Sequence, residues 1–182
     1  MRRYFACCIA AAINFTVLAA ANAEDDSKWQ LEERRNFIFT LSYKQSTYIN
    51  DQLATSELAL LRDQKNRKGF VGAVLIPFDG TFEGHQGSIP ISIQKKPDEV
   101  DRSDLLQKWE NGSEFLFLDV ADEVADLIAL LKEKDTESDS SVHFYFPSGL
   151  GNDQQTSNHI IVDASGFAAK FVEFETGCAS AQ

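Results

Sequence analysis

Three histidines, His85, His143 and His159, are the side chains of this chain best suited to proton transfer or metal ligation near neutral pH. No two of them share a helical turn, and none has a cysteine or carboxylate at ligand spacing, so the sequence offers no metal motif and predicts no cofactor. His143 and His159 fall on segments that read as neighbouring strands, where they can meet in space; a structural or surface role is expected for both. Gly84-His85-Gln86-Gly87-Ser88 has the composition of a catalytic loop and equally of a β-turn, and a Gly-x-Ser-x-Gly nucleophile elbow is absent. Asp163-Ala164-Ser165-Gly166 resembles a nucleophile turn, but a helix cap accounts for both polar residues. Adjacent carboxylates such as Asp25-Asp26, Glu32-Glu33 and Asp122-Glu123 follow from an acidic composition and do not define a glycosidase pair. Asn111-Gly112-Ser113 is a glycosylation sequon, with meaning only in a eukaryotic source. These residue types select no catalytic centre, and the enzymatic reading left open is a secreted hydrolase that uses His85 or His143.

The first residues set where this chemistry would operate. Arg2 and Arg3 form a basic start, Ile9 to Ala20 an apolar stretch, and Ala21-Asn22-Ala23 an A-x-A cleavage site. The stretch is short for a bilayer span, and the polar run Glu24-Asp25-Asp26-Ser27-Lys28 follows at once. Residues 1–23 therefore read as a signal peptide and 24–182 as a single exported globular domain without a membrane span, periplasmic or secreted. An ordinary secretory start fits better than a twin-arginine one, because Arg2-Arg3 has no polar segment ahead of it. Cleavage also removes Cys7 and Cys8, which leaves Cys178 alone. The mature chain then has no internal disulfide, and its stability must come from its core.

Loss of Arg2 and Arg3 leaves 15 basic against 28 acidic side chains, a formal net charge of −13. Such a surface repels phosphate backbones and anionic lipid, which argues against nucleic-acid and membrane-surface binding. Solubility explains the charge in the plainest way, and attraction of a basic protein partner in a sharper one.

The elements that must position these residues are mostly strands. Phe37, Phe39, Leu41 and Tyr43 alternate at a period of two, and Trp29 and Leu31 alternate just before them. The brief apolar run Leu58 to Leu61 is broken by residues 65–69, a hairpin loop ending in Gly69, and Phe70 to Ile76 follows as a strand. Pro77 ends that strand and Asp79-Gly80 marks a turn. Ile89, Ile91 and Ile93 give another strand with one apolar face; Pro97 to Asp104 loops outward, and Glu114 to Leu118 restores strand character after the Asn111-Gly112 turn. Val142 to Phe146 and Asn158 to Val162 are two further strands, joined by the Gly-, Ser- and Asn-rich run Pro147 to Ser157.

Two helices come late. Val120, Val124, Leu127, Ile128 and Leu131 share one stripe of a helix at about 120–133, with Asp119 as its cap. Phe167, Phe171 and Phe174 form the apolar stripe of a second helix at about 165–175, with Ser165 or Asp163 as the cap and Gly177 beyond its end. The fold class predicted is α+β and β-rich, an antiparallel sheet or β-sandwich with two late helices.

The order of segments in the second half resembles the invasion-associated locus B family of bacterial exported proteins. The residues that carry the resemblance are Val74-Leu75-Ile76-Pro77, Gly87-Ser88-Ile89-Pro90-Ile91-Ser92-Ile93, the helix at 120–132, Ile160-Ile161-Val162-Asp163 and Gly166-Phe167-Ala168-Ala169-Lys170. The resemblance implies a non-enzymatic periplasmic or envelope protein associated with host interaction, and it brings no catalytic residues. Together these readings predict a virulence-associated binding protein of the bacterial envelope with an unknown protein partner; inhibition of a cationic lytic enzyme is a narrower form of the same reading.

Overall fold

The computed structural model describes residues 28–34, 38–49, 52–63, 70–77, 85, 87–97, 103–112, 115–147 and 159–180. The leader at 1–23 with Cys7 and Cys8, Phe37, the loop at 65–69, the Asp79-Gly80 turn and the connection at 148–157 lie outside the described residues. The strands are β1 (Trp29–Arg34), β2 (Ile38–Ile49), β3 (Gln52–Asp63), β4 (Phe70–Ile76), β5 (Ser88–Gln94), β6 (Leu105–Asn111), β7 (Leu116–Leu118), β8 (Ser141–Tyr145) and β9 (His159–Asp163). Helix α1 spans Ala121–Asp135, between β7 and β8, and α2 spans Phe167–Ser180, after β9. All nine strands join one sheet in the order β1-β2-β3-β4-β7-β6-β5-β8-β9, every pair antiparallel. The antiparallel-sheet reading of the α+β class holds. The sandwich alternative does not form, because the single sheet curls into a half-barrel around its helices.

Strand alternation explains that packing. The register places Trp29, Tyr43, Leu58, Leu75 and Leu116 in one row across five strands, and Ile93, Phe144 and Ile160 in another, all on the same face. These residues are buried, and both helices close over them. Phe167, Phe171 and Phe174 are buried as their spacing predicts, and the Trp29 ring meets Phe167 edge-on at 4.8 Å. On α1 the buried stripe is Val124, Leu127, Ile128, Leu130, Leu131 and Lys134. Val120, predicted to belong to it, is instead the N-cap residue and 48 % exposed.

The caps differ from those predicted. No side chain, Asp119 included, makes the cap hydrogen bond of α1. The start of α2 is held from a distance: Asp135, the last residue of α1, accepts the Gly166 N–H at 2.6 Å and the Ala168 N–H at 2.9 Å. Gly166, at φ +77°, turns the chain so that both amides face that carboxylate. Asp163 contributes only a local turn there, accepting the Ser165 N–H at 3.0 Å. Gly177 does not end the helix, which continues to Ser180.

Asp163 has another task, as a seam between the first and last strands. Its backbone carbonyl accepts the Trp29 indole N–H at 2.9 Å, and its carboxylate takes Lys28 Nζ at 3.1 Å and the Ser140 hydroxyl at 2.6 Å. Although its partial burial acts in the opposite direction, these hydrogen bonds hold the carboxyl well below the usual range.

Candidate functional site

The register decides which of the histidines meet. β8 pairs with β9 so that Tyr145 lies opposite His159 and His143 opposite Ile161. β5 pairs with β8 so that Gln94 lies opposite His143 and Ser92 opposite Tyr145. Phe144 and Ile160 alternate to the core face, so these five polar or aromatic residues share the face turned away from the helices. His143 and His159 are diagonal neighbours there, and His143 Nδ1 stands 2.8 Å from His159 Nε2. The adjacency predicted for the two strands therefore brings the two imidazoles into direct contact.

That contact is a hydrogen bond between rings whose planes differ by 7°. Nitrogens 2.8 Å apart are closer than faces of stacked rings approach, so the rings meet edge to edge. Such a bond needs a donor nitrogen on one ring and a lone pair on the other, so at least one imidazole is neutral. Burial pushes the basicity of both rings down. For His143 the Asp139 carboxylate opposes that shift and the Lys134 ammonium adds to it; for His159 the charge of His143 adds to it. Both rings thus favour the neutral form.

The surroundings fix these rings in place. Tyr145 lies nearly parallel to His159, with ring centroids 4.5 Å apart, and its hydroxyl donates to the Pro97 carbonyl at 3.4 Å. Gln94 is only 5 % exposed, and its Nε2 approaches the Ser92 hydroxyl at 3.5 Å. Its Oε1 is buried without a hydrogen-bond partner. Glutamine at the end of a strand carries no sequence signal for such a site, and neither does Tyr145; both are identified only by register.

The remaining sequence candidates separate. His85 lies three residues before β5, where its backbone carbonyl accepts the Asn111 side-chain N–H at 2.6 Å. From Ser88 to Gln94 the strand rises about 20 Å, which keeps His85 away from His143. The amide nitrogen of Asn111, the atom a sequon would glycosylate, is held in that same bond. Cys178 lies in α2, and its side chain is outside the described residues. Among the described residues no three His, Cys, Asp or Glu side chains converge on a metal position.

The outer surface of α1 is the other functional candidate. Asp119, Asp122 and Asp126 are exposed, at steps of three and four, beside the exposed alanines Ala121, Ala125 and Ala129. Further along the helix Glu133 pairs with Lys95 at 2.5 Å, and Glu137 beyond its end pairs with the buried Lys134 at 2.8 Å. The two lysines therefore neutralise the C-terminal end, and the acidic character concentrates at the N-terminal half. Among the described residues no helix is long and apolar enough to cross a membrane. Compared with known proteins, the chain matches no family model, and no curated protein or solved structure is significantly similar to it.

Proposed function

We propose that this chain is a non-enzymatic binding protein of the bacterial envelope, periplasmic or secreted, which recognises a protein partner of opposite charge. The observation that carries the reading is the N-terminal half of α1. Asp122 and Asp126 stand exposed there, with Asp119 just ahead of the helix, on a surface kept shallow by alanines. A formal charge of −13 on residues 24–182 extends the same field over the whole molecule and disfavours nucleic acid. The leader-like residues 1–23 support export, and the resemblance to the invasion-associated locus B family supports an envelope role linked to host interaction. A hydrolase built on His143 is the weaker reading, because its Nδ1 faces another imidazole and not a hydroxyl.

The test combines location with kinetics. Exported protein should begin at or near Glu24 on N-terminal sequencing, and Met1 retained on a cytosolic protein would overturn the export reading. A partner cross-linked to the exported protein should associate about tenfold or more slowly as salt rises from 50 to 300 mM, because exposed charges are screened over roughly 10 Å at 0.1 M. Asp122→Asn with Asp126→Asn should slow association at low salt in the same direction. An association rate indifferent to salt would remove the electrostatic recognition. Substrate turnover abolished by His143→Ala in folded protein would hand the case to the hydrolase.

A further inference from the structure

We infer that His143 and His159 form an acid-sensitive latch on β9: the pair accepts a first proton without parting, and a second proton breaks the bond between the rings and frees the start of β9 from β8. The latch is separate from the acidic face of α1 and does not depend on that reading.

The behaviour of the bond follows from counting its protons. His143 Nδ1 and His159 Nε2 face each other at 2.8 Å, with one N–H and one lone pair between them. A first added proton goes to the far nitrogen of the donor ring. The bond then runs from an imidazolium N–H to the remaining lone pair, which strengthens it. The second proton has only that lone pair to take. Two N–H groups then point at each other with a positive charge on each ring, and the contact is repulsive.

The surroundings set the direction of the response. His143 is 5 % exposed and His159 half-buried, and burial pushes both rings below the ordinary histidine value; the charge of His143 lowers His159 further. Asp139, just ahead of β8, favours a charged His143, while Lys134 of α1, paired with Glu137 at 2.8 Å, disfavours it. On β5, Gln94 and Ser92 do not titrate, and Lys95 is held by Glu133 of α1. On β9 itself the carboxylate is Asp163, about 13 Å further along the strand and engaged by Lys28 and Ser140. The Tyr145 ring, parallel to His159 at 4.5 Å, accommodates one imidazolium on its face. The docked strand therefore binds fewer protons than the released one. Docking is fully favoured above about pH 6.5 and is lost progressively as pH falls below it.

The place of the latch in the sheet decides what acid releases. β9 is an edge strand of five residues that pairs only with β8, and His159 is its first residue. Its other end is fixed by the Asp163 seam, whose carboxylate stays ionised well below pH 3.8. Mild acid thus frees one end of the strand, leaves the other attached, and uncovers the edge of β8 at Tyr145.

Purified protein followed by nuclear magnetic resonance from pH 7.5 to 4.5 tests this. The Cε1 protons of the pair should titrate in two steps separated by at least about one pH unit. Protection factors, corrected for the intrinsic pH dependence of exchange, should fall at least about tenfold from pH 7 to 5 for the ladder amides between residues 143–145 and 159–161. Those near Ser141 and Asp163 should change by less than about threefold. His159→Gln and His143→Asn each leave one titratable ring, so neither can form the doubly charged pair, and each should abolish the fall; His85→Asn should keep it. If one of the pair variants fails to fold the other decides, and if both fail the titration of the unaltered protein decides. A single unsplit titration of the two rings, protection unchanged at pH 5, or a fall that persists in His159→Gln would overturn the proposal.

Discussion

Replacing Asp135 by alanine removes a carboxylate that joins the end of α1 to the start of α2. Its two oxygens accept the Gly166 and Ala168 amides at 2.6 and 2.9 Å. A helix N-cap acceptor contributes about 0.5–2 kcal/mol, and each amide left without a partner away from water costs about 1–3 kcal/mol. Both amides belong to half-buried residues, so water recovers part of that loss, and the expected destabilisation is about 2–4 kcal/mol. Urea denaturation followed by far-ultraviolet circular dichroism measures it. With a slope of about 2 kcal/mol per molar urea, the midpoint should fall by roughly 1–2 M. Asp135→Asn keeps one acceptor but turns an NH2 toward the second amide, and should lose about half as much. Asp126→Ala removes an exposed carboxylate from the same helix and serves as the control, expected within about 0.5 kcal/mol of the unaltered protein. An Asp135→Ala midpoint no lower than that of Asp126→Ala would refute the argument that this carboxylate anchors α2.

Two further outcomes are expected. Gly72 packs where a Cβ would stand 2.5 Å from the Leu118 carbonyl and 2.8 Å from the Phe117 ring, at φ +156°, so Gly72→Ala should cost about 1–3 kcal/mol and lower the thermal midpoint; an unchanged midpoint would show that β4 and β7 are not in this register. Asp163 has its folded pKa below the unfolded value of about 3.8, so its contribution is present above that pH and is lost as pH falls below it. Acid unfolding curves of Asp163→Asn should therefore lack the part of the pH dependence that the unaltered protein shows below about pH 4; identical slopes would show that the seam carboxylate is not linked to folding.

Which elements were legible depended on whether inward positions are apolar. Ile89, Ile91 and Ile93 declare β5, and three phenylalanines at helical spacing declare α2, because every inward position in each is large and greasy. The whole of β6 escaped prediction. Its inward row holds Gln107 beside Trp109, while Leu106 on the outer face is 69 % exposed, which inverts the usual alternation. The first half of β3 is hidden in the same way, since Ala54 and Ser56 face inward and Leu53 faces solvent. The caps were misplaced for a different reason: sequence reasoning looks a few residues away, and Asp135 reaches across 31 positions to the Gly166 amide. For the histidine pair, adjacent strands predicted that His143 and His159 can meet, as they do. The place of Gln94 across from His143 depends on the crossover that sets β5 beside β8, and nothing local to residue 94 announces it.

The seam at Asp163 also bears on how this chain acquires its shape. Lys28 and Trp29 find their partner 135 and 134 positions later, so the half-barrel closes only when its last strand is present. Contacts of such long sequence separation require loop-closure entropy to be met before they return any stabilisation, and they form slowly. A chain emerging in order from its N-terminus carries β1 exposed and unclosed until β9 and α2 have followed. Late closure of this kind keeps the polypeptide open until nearly all of it is present, and it concentrates the decisive folding event in the final two dozen residues.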